Sequence, residues 1–384
     1  MPWNETEPML ERTKFVLSVT SGELSFKAQC ERFGISRKTG YKLMGRYASE
    51  GLAGLGDRSR APGRCPHALS SETAARILAL KQRYPTWGPR KLRDRLATES
   101  PEGTWPAVST IGELLSRHGL VQSRTLRRRA PPMSTPLAHA QAPHDVWSID
   151  FKGQFRLGNG RLCYPLTVTD NASRYLLACR GLYQPRRLPV RETLEGLFRA
   201  HGLPWALRSD NGPPFASTGL GGLSTLAVWL IRLGVRPERI APGKPQQNGR
   251  HERMHRTLKA ETTRPPSATL AAQQRRFNAF MREFNDERPH EALGGKTPAS
   301  RYAPSPRSYP ALLPEVVYPS GLTLRRVRSN GEFKWKGSLL FLSEALVGEV
   351  VGLREVGESV WQIQFGEYPL GVLDERRGGI LRPA

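Results

Sequence analysis

The chain has 384 residues, 38% of them hydrophobic and 24% charged, with 58 Lys and Arg against 34 Asp and Glu and a formal charge of +24. That length exceeds one ordinary core, the composition is globular rather than disordered, and so large a cationic surplus points to a polyanionic partner, usually nucleic acid. Cys30, Cys65, Cys163 and Cys179 stand singly and no apolar run approaches a membrane span, which excludes a disulfide framework and a transmembrane helix and argues against a zinc finger.

The opening MPWNETEPMLERTKF is acidic and then mixed, without the basic-then-apolar order of a secretory signal, so a cytoplasmic setting is expected. Residues 8–20 read as a short helix with Met9, Phe15, Val16 and Val19 as its apolar face. Ser25 can cap a second helix that ends at Gly34, and Ser36 opens a third that ends near Gly51. Two helices split by a Gly-containing turn follow helix-turn-helix logic. On the third helix Ile35, Leu43, Met44 and Tyr47 can face a core. Ser36, Arg37, Lys38, Tyr41 and Lys42 lie on the other side near its N-terminus, where a recognition helix meets base edges and phosphates.

After a Gly/Pro/Arg connector, three more short helices are expected, starting at Ser70 or Ser71, at Gly88-Pro89 and at Ser109. The middle one is basic, so the block reads either as a second helix-turn-helix or as a spacer bundle. Residues 123–144 read as a basic Arg/Pro/Ala linker.

The pattern changes at 145. VWSIDFKG, RLCYPLTVTDN and SRYLLACRGL read as strands, followed by alternating helices and strands up to a long helix from about 246 and a second near 268–285. This is a mixed α/β domain with helices on a sheet. From 315 onward VVYP, LTLRRVR, FKWKGSLLFL, EVVGLREV, VWQIQF and YPLGVL read as short strands of a small β-barrel.

Three carboxylates stand at informative places. Asp150 lies on the face of the first strand opposite apolar Trp147, Ile149 and Phe151, where a charge is costly unless paired or metal-bound. Asp210 follows a strand and precedes Asn211-Gly212, at the kind of strand end where ligands of α/β sheets gather. Glu252 lies near the start of the long helix. Together they can converge on a hard cation such as Mg²⁺. On that helix Arg256 and Lys259 share the face of Glu252, and Lys244 and Arg250 flank its start; these four are candidates for DNA phosphates. His251 and His255 give HERMH, the spacing of a zinc protease, but a third ligand and an apolar helix are missing. GGKT at 294–297 lacks the P-loop's first glycine, since His290 stands there, and reads as a loop.

The words WSIDFKG, LRSDNGPPF and PGKPQQNGRHERMHRTLK, with FNDERPHEALGGKTPASRY after them, closely resemble the catalytic core of DDE transposases and retroviral-type integrases, nearest to bacterial insertion-sequence transposases. The resemblance implies an RNase H-like α/β core with helix-turn-helix modules before it and a small β-barrel after it. It implies the boundaries 1–62, 69–122, 145–305 and 315–378 for these parts. It also implies a catalytic, metal-binding triad of Asp150, Asp210 and Glu252 and two Mg²⁺ ions per site, with Mn²⁺ expected to substitute. The partners implied are double-stranded DNA, as element terminal repeats and as target, and further copies of the chain; no membrane and no ATP are expected. The 41 residues between Asp210 and Glu252 exceed the commonest family spacing, and FASTGLGGLSTLAVW is the expected site of the extra loop. Two alternatives remain at this point: a DNA-binding regulator that has lost catalysis, and a plain RNase H-like nuclease.

Overall fold

The computed structural model describes residues 7–58, 69–121, 137, 139–217, 219–241 and 245–381. The chain divides into two compact units, Met1–Ala68 and Leu69–Ala384.

The first unit holds α1 (Pro8–Thr20), α2 (Phe26–Arg32) and α3 (Arg37–Glu50). Ser25 Oγ accepts from the Ala28 N–H and Ser36 Oγ from the Thr39 N–H, so both expected caps form. Gly40 lets α3 approach its neighbours: a Cβ there would lie 2.8 Å from Cys30 Sγ and 2.9 Å from the Phe26 ring. Phe15, Val16, Cys30, Leu43 and Leu55 form the core, with Val19, Ile35, Met44 and Tyr47 partly buried against it. Met9, expected on that face, is exposed.

In the second unit α4 (Ser71–Arg83), α5 (Pro89–Glu99) and α6 (Val108–Arg117) pack around Trp87, Leu92, Leu96 and Ile111. Ser70 caps α4 through the Thr73 N–H. Ser109 does not cap α6: the helix begins one residue earlier, after Ala107, without a side-chain cap. The basic middle helix is turned toward acids of the α/β domain. Arg90 pairs with Glu291, Arg95 lies 4.0 Å from Glu287, and Trp87 Nε1 donates to Glu283 at 3.1 Å. Most of the expected linker, residues 122–136 and 138, lies outside the described residues.

The α/β domain contains β1 (Val146–Phe151), β2 (Phe155–Arg156), β3 (Leu162–Asp170), β4 (Leu176–Leu182), α7 (Arg187–His201), β5 (Ala206–Ser209), α8 (Thr225–Arg232), β6 (Arg236–Arg239), α9 (Gly249–Thr262) and α10 (Leu270–Arg282). β1 pairs antiparallel with β3 and parallel with β5; β4 extends the sheet beyond β3, and β6 beyond β5. Three antiparallel strands with two parallel ones beside the first give the RNase H-like order that the resemblance implied. One face buries Trp147, Ile149, Leu166 and Val168 against α7 and α8; the other buries Cys163, Leu176 and Cys179 against Met254, Leu258, Phe277 and Phe280 of α9 and α10.

The C-terminal strands are β7 (Thr323–Arg326), β8 (Glu332–Trp335), β9 (Ser338–Phe341), β10 (Val350–Gly357), β11 (Val360–Phe365), β12 (Tyr368–Asp374) and β13 (Gly379–Leu381). A five-stranded antiparallel sheet and the β8–β9 hairpin enclose one apolar cluster. FKWKGSLLFL is therefore a hairpin turning at Lys336-Gly337 rather than one strand, and VVYP is not a strand: Tyr318 instead donates its hydroxyl to the Val350 carbonyl at 2.6 Å. Leu223, Ala227 and Val228 belong to the same cluster, so the sheet is seated on α8. Leu220 and Leu223, in the segment between Asp210 and α8, belong to this seat. The loop places Gly221 against Leu370 and then runs into α8.

Candidate active site

β1 and β5 are parallel neighbours, with Ser148 paired to Arg208. Two residues further along that register Asp150 stands level with Asp210, at the carboxyl ends of the two strands. Asp210 lies one residue past β5, and its Oδ1 accepts the Gly212 N–H at 3.2 Å. A Cβ on Gly212 would lie 3.3 Å from Asp210 Oδ2, so a glycine keeps the carboxylate's turn open. Asn211 Nδ2 donates to the Ile240 carbonyl at 2.9 Å and ties this turn to the end of β6.

Glu252 is exposed in the first turn of α9, where the helix dipole favours a carboxylate. The opposite face of that turn fastens α9 to β3. Thr167 Oγ1 lies 2.7 Å from His251 Nε2 and 2.6 Å from His255 Nε2, and Thr169 Oγ1 lies 2.9 Å from His251 Nδ1. One hydrogen assignment satisfies the whole group: both Nε2–H groups donate to Thr167, Thr167 donates to the Asp150 carbonyl at 3.1 Å, and Thr169 donates to His251 Nδ1. Burial holds His251 down at about 3 and, with His251 beside it, His255 at about 2, so both rings are neutral.

Asp150 lies on β1 between these elements. Its side chain is 20% exposed, and Asn248 Nδ2 donates to its Oδ2 at 3.2 Å. Burial first, then the charges of Asp210 and Glu252, push its carboxyl up to about 7 against the opposing pull of the Phe151 N–H and Lys152. The three acids expected from the sequence are thus in one electrostatic neighbourhood.

One ligand atom each of Asp150, His251 and His255 also falls within 4.8 Å of the others. Both nitrogens of His251 are already bonded to threonine hydroxyls, so that ring is a fastener and the HERMH spacing is not a zinc site. Asp150, Asp210 and Glu252 offer only oxygen, the donor a hard divalent cation takes; among the described residues their oxygens do not all lie within 4.8 Å of one another.

Arg256 and Lys259 are exposed on the Glu252 face of α9. Arg250 is half-buried, its Nη1 donating to the Asn171 carbonyl at 3.1 Å. Lys244 lies outside the described residues. Ser36, Arg37, Lys38, Tyr41 and Lys42 are all exposed on α3 of the first unit, and the Tyr41 ring stacks on Phe26 with centroids 4.2 Å apart. Sequence reasoning missed Thr167, Asn248 and the fastening role of the two histidines. The one available signal for Thr167 was a threonine on the strand beside Asp150.

Residues 140–245 and 233–298 match the integrase core domain, residues 11–63 a helix-turn-helix domain and residues 39–115 a homeodomain-like domain. The chain is 31% identical over 249 residues to an uncharacterized 31.7 kDa protein of insertion element IS407 from Burkholderia multivorans, covering 64% of this chain and 86% of that one. It is 28% identical over 267 residues to an uncharacterized 39.2 kDa protein of insertion element IS476 from Xanthomonas euvesicatoria, covering 68% and 72%. The HTLV-2 integrase catalytic core solved with magnesium is 14% identical, covers 42% of this chain and 98% of that one, and has a TM-score of 0.34, so the fold rests on the strand order rather than on that likeness. With an integrase core matched along the α/β domain and an insertion-element relative matched over most of its length, the chain belongs to the bacterial insertion-sequence transposases with a retroviral-integrase-type core, which are metal-dependent polynucleotidyl transferases.

Proposed function

We propose that Asp150, Asp210 and Glu252 are the catalytic triad of a DDE transposase that frees 3′-OH ends at the termini of a DNA element and joins them to target DNA. The observation that supports this reading is the placement of Asp150 and Asp210 at the ends of the adjacent parallel strands β1 and β5, where burial first and the charge of Asp210 next raise the Asp150 carboxyl. When bound, two Mg²⁺ or Mn²⁺ ions would supply an activated oxygen nucleophile and counter-charge for the phosphoryl oxygens. The chain's own residues fix the acids. The β1–β5 register runs toward Asp150 and Asp210, and the His251/His255 fasteners hold the first turn of α9, which carries Glu252. Arg250, Arg256 and Lys259, with Lys244, hold backbone phosphates beside them. One phosphodiester is exchanged for another, so no ATP is consumed.

In this reading residues 1–62 recognise the terminal repeats through Ser36, Arg37, Lys38, Tyr41 and Lys42. Residues 69–122 brace residues 145–305, which carry the chemistry, and residues 315–378 assist assembly of several copies on DNA. The reaction takes place in the cytoplasm, on the nucleoid. Among the described residues no helix is long and apolar enough to cross a membrane. The test is a divalent-metal-dependent assay on element-end duplexes that scores both nicking and joining. Nicking without joining would favour a plain nuclease, and binding with neither a regulator that has lost catalysis.

A further inference from the structure

Two guanidinium groups converge on one backbone oxygen. Arg174 Nη1 donates to the Asn171 carbonyl at 2.7 Å, and Arg250 Nη1 donates to the same oxygen at 3.1 Å. Arg253 follows Arg250 by three residues, about one turn along α9. Among the described residues none of these three arginines lies within 4.0 Å of a carboxylate oxygen, although arginine–carboxylate pairs occur elsewhere in the chain. Burial first, then the charges of Arg250 and Arg253, lower Arg174 to about 10 against the opposing charge of Asp170.

Arg174 also adopts an unusual backbone. Its φ is 66°, in the left-handed region where glycine or asparagine sits at little cost and a long side chain does not. The turn is held there by Asp170, whose Oδ1 accepts from both the Ser173 N–H and the Ser173 hydroxyl. The fold thus holds a half-buried arginine in a strained turn, beside two like charges, with a shared carbonyl oxygen and the Asp170 carboxylate, itself occupied by Ser173 and the His144 N–H, as the only opposing groups found there among the described residues. Such an arrangement is stabilised when an anion with several acceptor oxygens enters it, and guanidinium groups match phosphate in geometry as well as charge.

We propose that Arg174, Arg250 and Arg253 form a binding site for a DNA backbone phosphate, one residue removed from Glu252 on α9. The inference rests on the reading of this chain as a DNA strand-transfer enzyme, and it adds a β3–β4 turn residue to the phosphate-holding face. The phosphate belongs either to the element end or to the target, and the two are separable by experiment.

The test compares the full-length chain with Arg174→Asn and Arg253→Gln on a terminal-repeat duplex and on a target duplex. Asparagine accepts the left-handed turn, and position 253 is exposed, so both variants are expected to melt as the wild type does. Each is expected to bind about five- to tenfold more weakly at low salt and to lower the slope of log K against log [salt] by about one. Single methylphosphonates scanned along each duplex then locate the contact: one position that weakens the wild type loses its effect in Arg174→Asn. The duplex carrying that position identifies the source. Unchanged slopes and unchanged interference on both duplexes would overturn the site. Wild-type strand transfer on the same duplexes tests the catalytic reading separately: transfer with no contact at Arg174 sinks only this site, and a mapped contact without transfer sinks only the catalytic reading.

Discussion

Asp150 and Thr167 face each other across the β1–β3 ladder, and the Thr167 hydroxyl donates to the Asp150 carbonyl oxygen while accepting from both α9 histidines. One hydroxyl therefore links the strand that carries the first acid to the helix that carries the third. Thr167→Val keeps the shape and removes the link, leaving two buried imidazole N–H groups unpaired. It is expected to cost about 1–3 kcal/mol of stability. It is also expected to lower strand transfer more than DNA binding, because Glu252 is no longer held at its place. Chemical denaturation and a paired binding and joining assay check both parts; an unaltered joining rate would mean that α9 is positioned by other contacts.

The raised Asp150 carboxyl gives a pH signature to the metal-free protein. Its folded value of about 7 lies above the ordinary 3.8, so between these values the folded chain keeps a proton that the unfolded chain has released. Its contribution to stability is therefore full below the lower value and is lost as pH rises toward 7. Metal-free wild type is expected to lose more melting temperature between pH 5 and pH 8 than Asp150→Asn does. Added Mg²⁺ is expected to restore it at pH 8 and to do little at pH 5, where the proton competes. Parallel pH profiles of the two proteins would show that neither burial nor its neighbours raise the Asp150 carboxyl.

Much of this was legible in the sequence. The alternation in VWSIDF put Trp147 and Ile149 on the buried face and Asp150 on the other, and the Asn211-Gly212 turn marked the end of β5. Other features were not legible because they depend on distant pairing. The Thr167–His255 bond joins residues 88 positions apart. The hairpin in FKWKGSLLFL was hidden because a lysine, Lys336, takes the first left-handed position of its turn at φ 43°, ahead of Gly337 at 91°. The pairing of Arg90 on α5 with Glu291 joins residues 201 positions apart.

The α3 surface carries the specificity expectation. Arg37 and Lys42 are exposed on the same helix as the stacked Tyr41. Replacing both by Ala is expected to weaken terminal-repeat binding by about 1–3 kcal/mol per base-contacting side chain while changing random-duplex binding less. Equal loss on both duplexes, measured by anisotropy at matched salt, would reduce α3 to a phosphate contact.

Trp87 is the anchor of the second helical block. It is fully buried, stacks on Tyr84 with centroids 3.9 Å apart, and donates to Glu283 at 3.1 Å. Beside it Arg288 bonds Glu261 and Glu283, and burial draws Lys91 down to about 8. Trp87→Ala is expected to cost about 3–5 kcal/mol and to release residues 69–121 from the catalytic domain. Limited proteolysis should then cut between them faster than in the wild type; an unchanged digestion pattern would assign the docking to the ion pairs alone.

The most direct test is Asp150→Asn in a gel-shift and strand-transfer assay run on one preparation, with Asp210→Asn and Glu252→Gln beside it. Each substitution preserves shape and removes the negative charge that the site would set against a divalent cation. Each is expected to reduce end cleavage and joining together by about 10³-fold or more, with binding to the element end retained and a double variant no worse than a single one. Substantial joining by Asp150→Asn, with Mg²⁺ present and binding intact, would contradict the account.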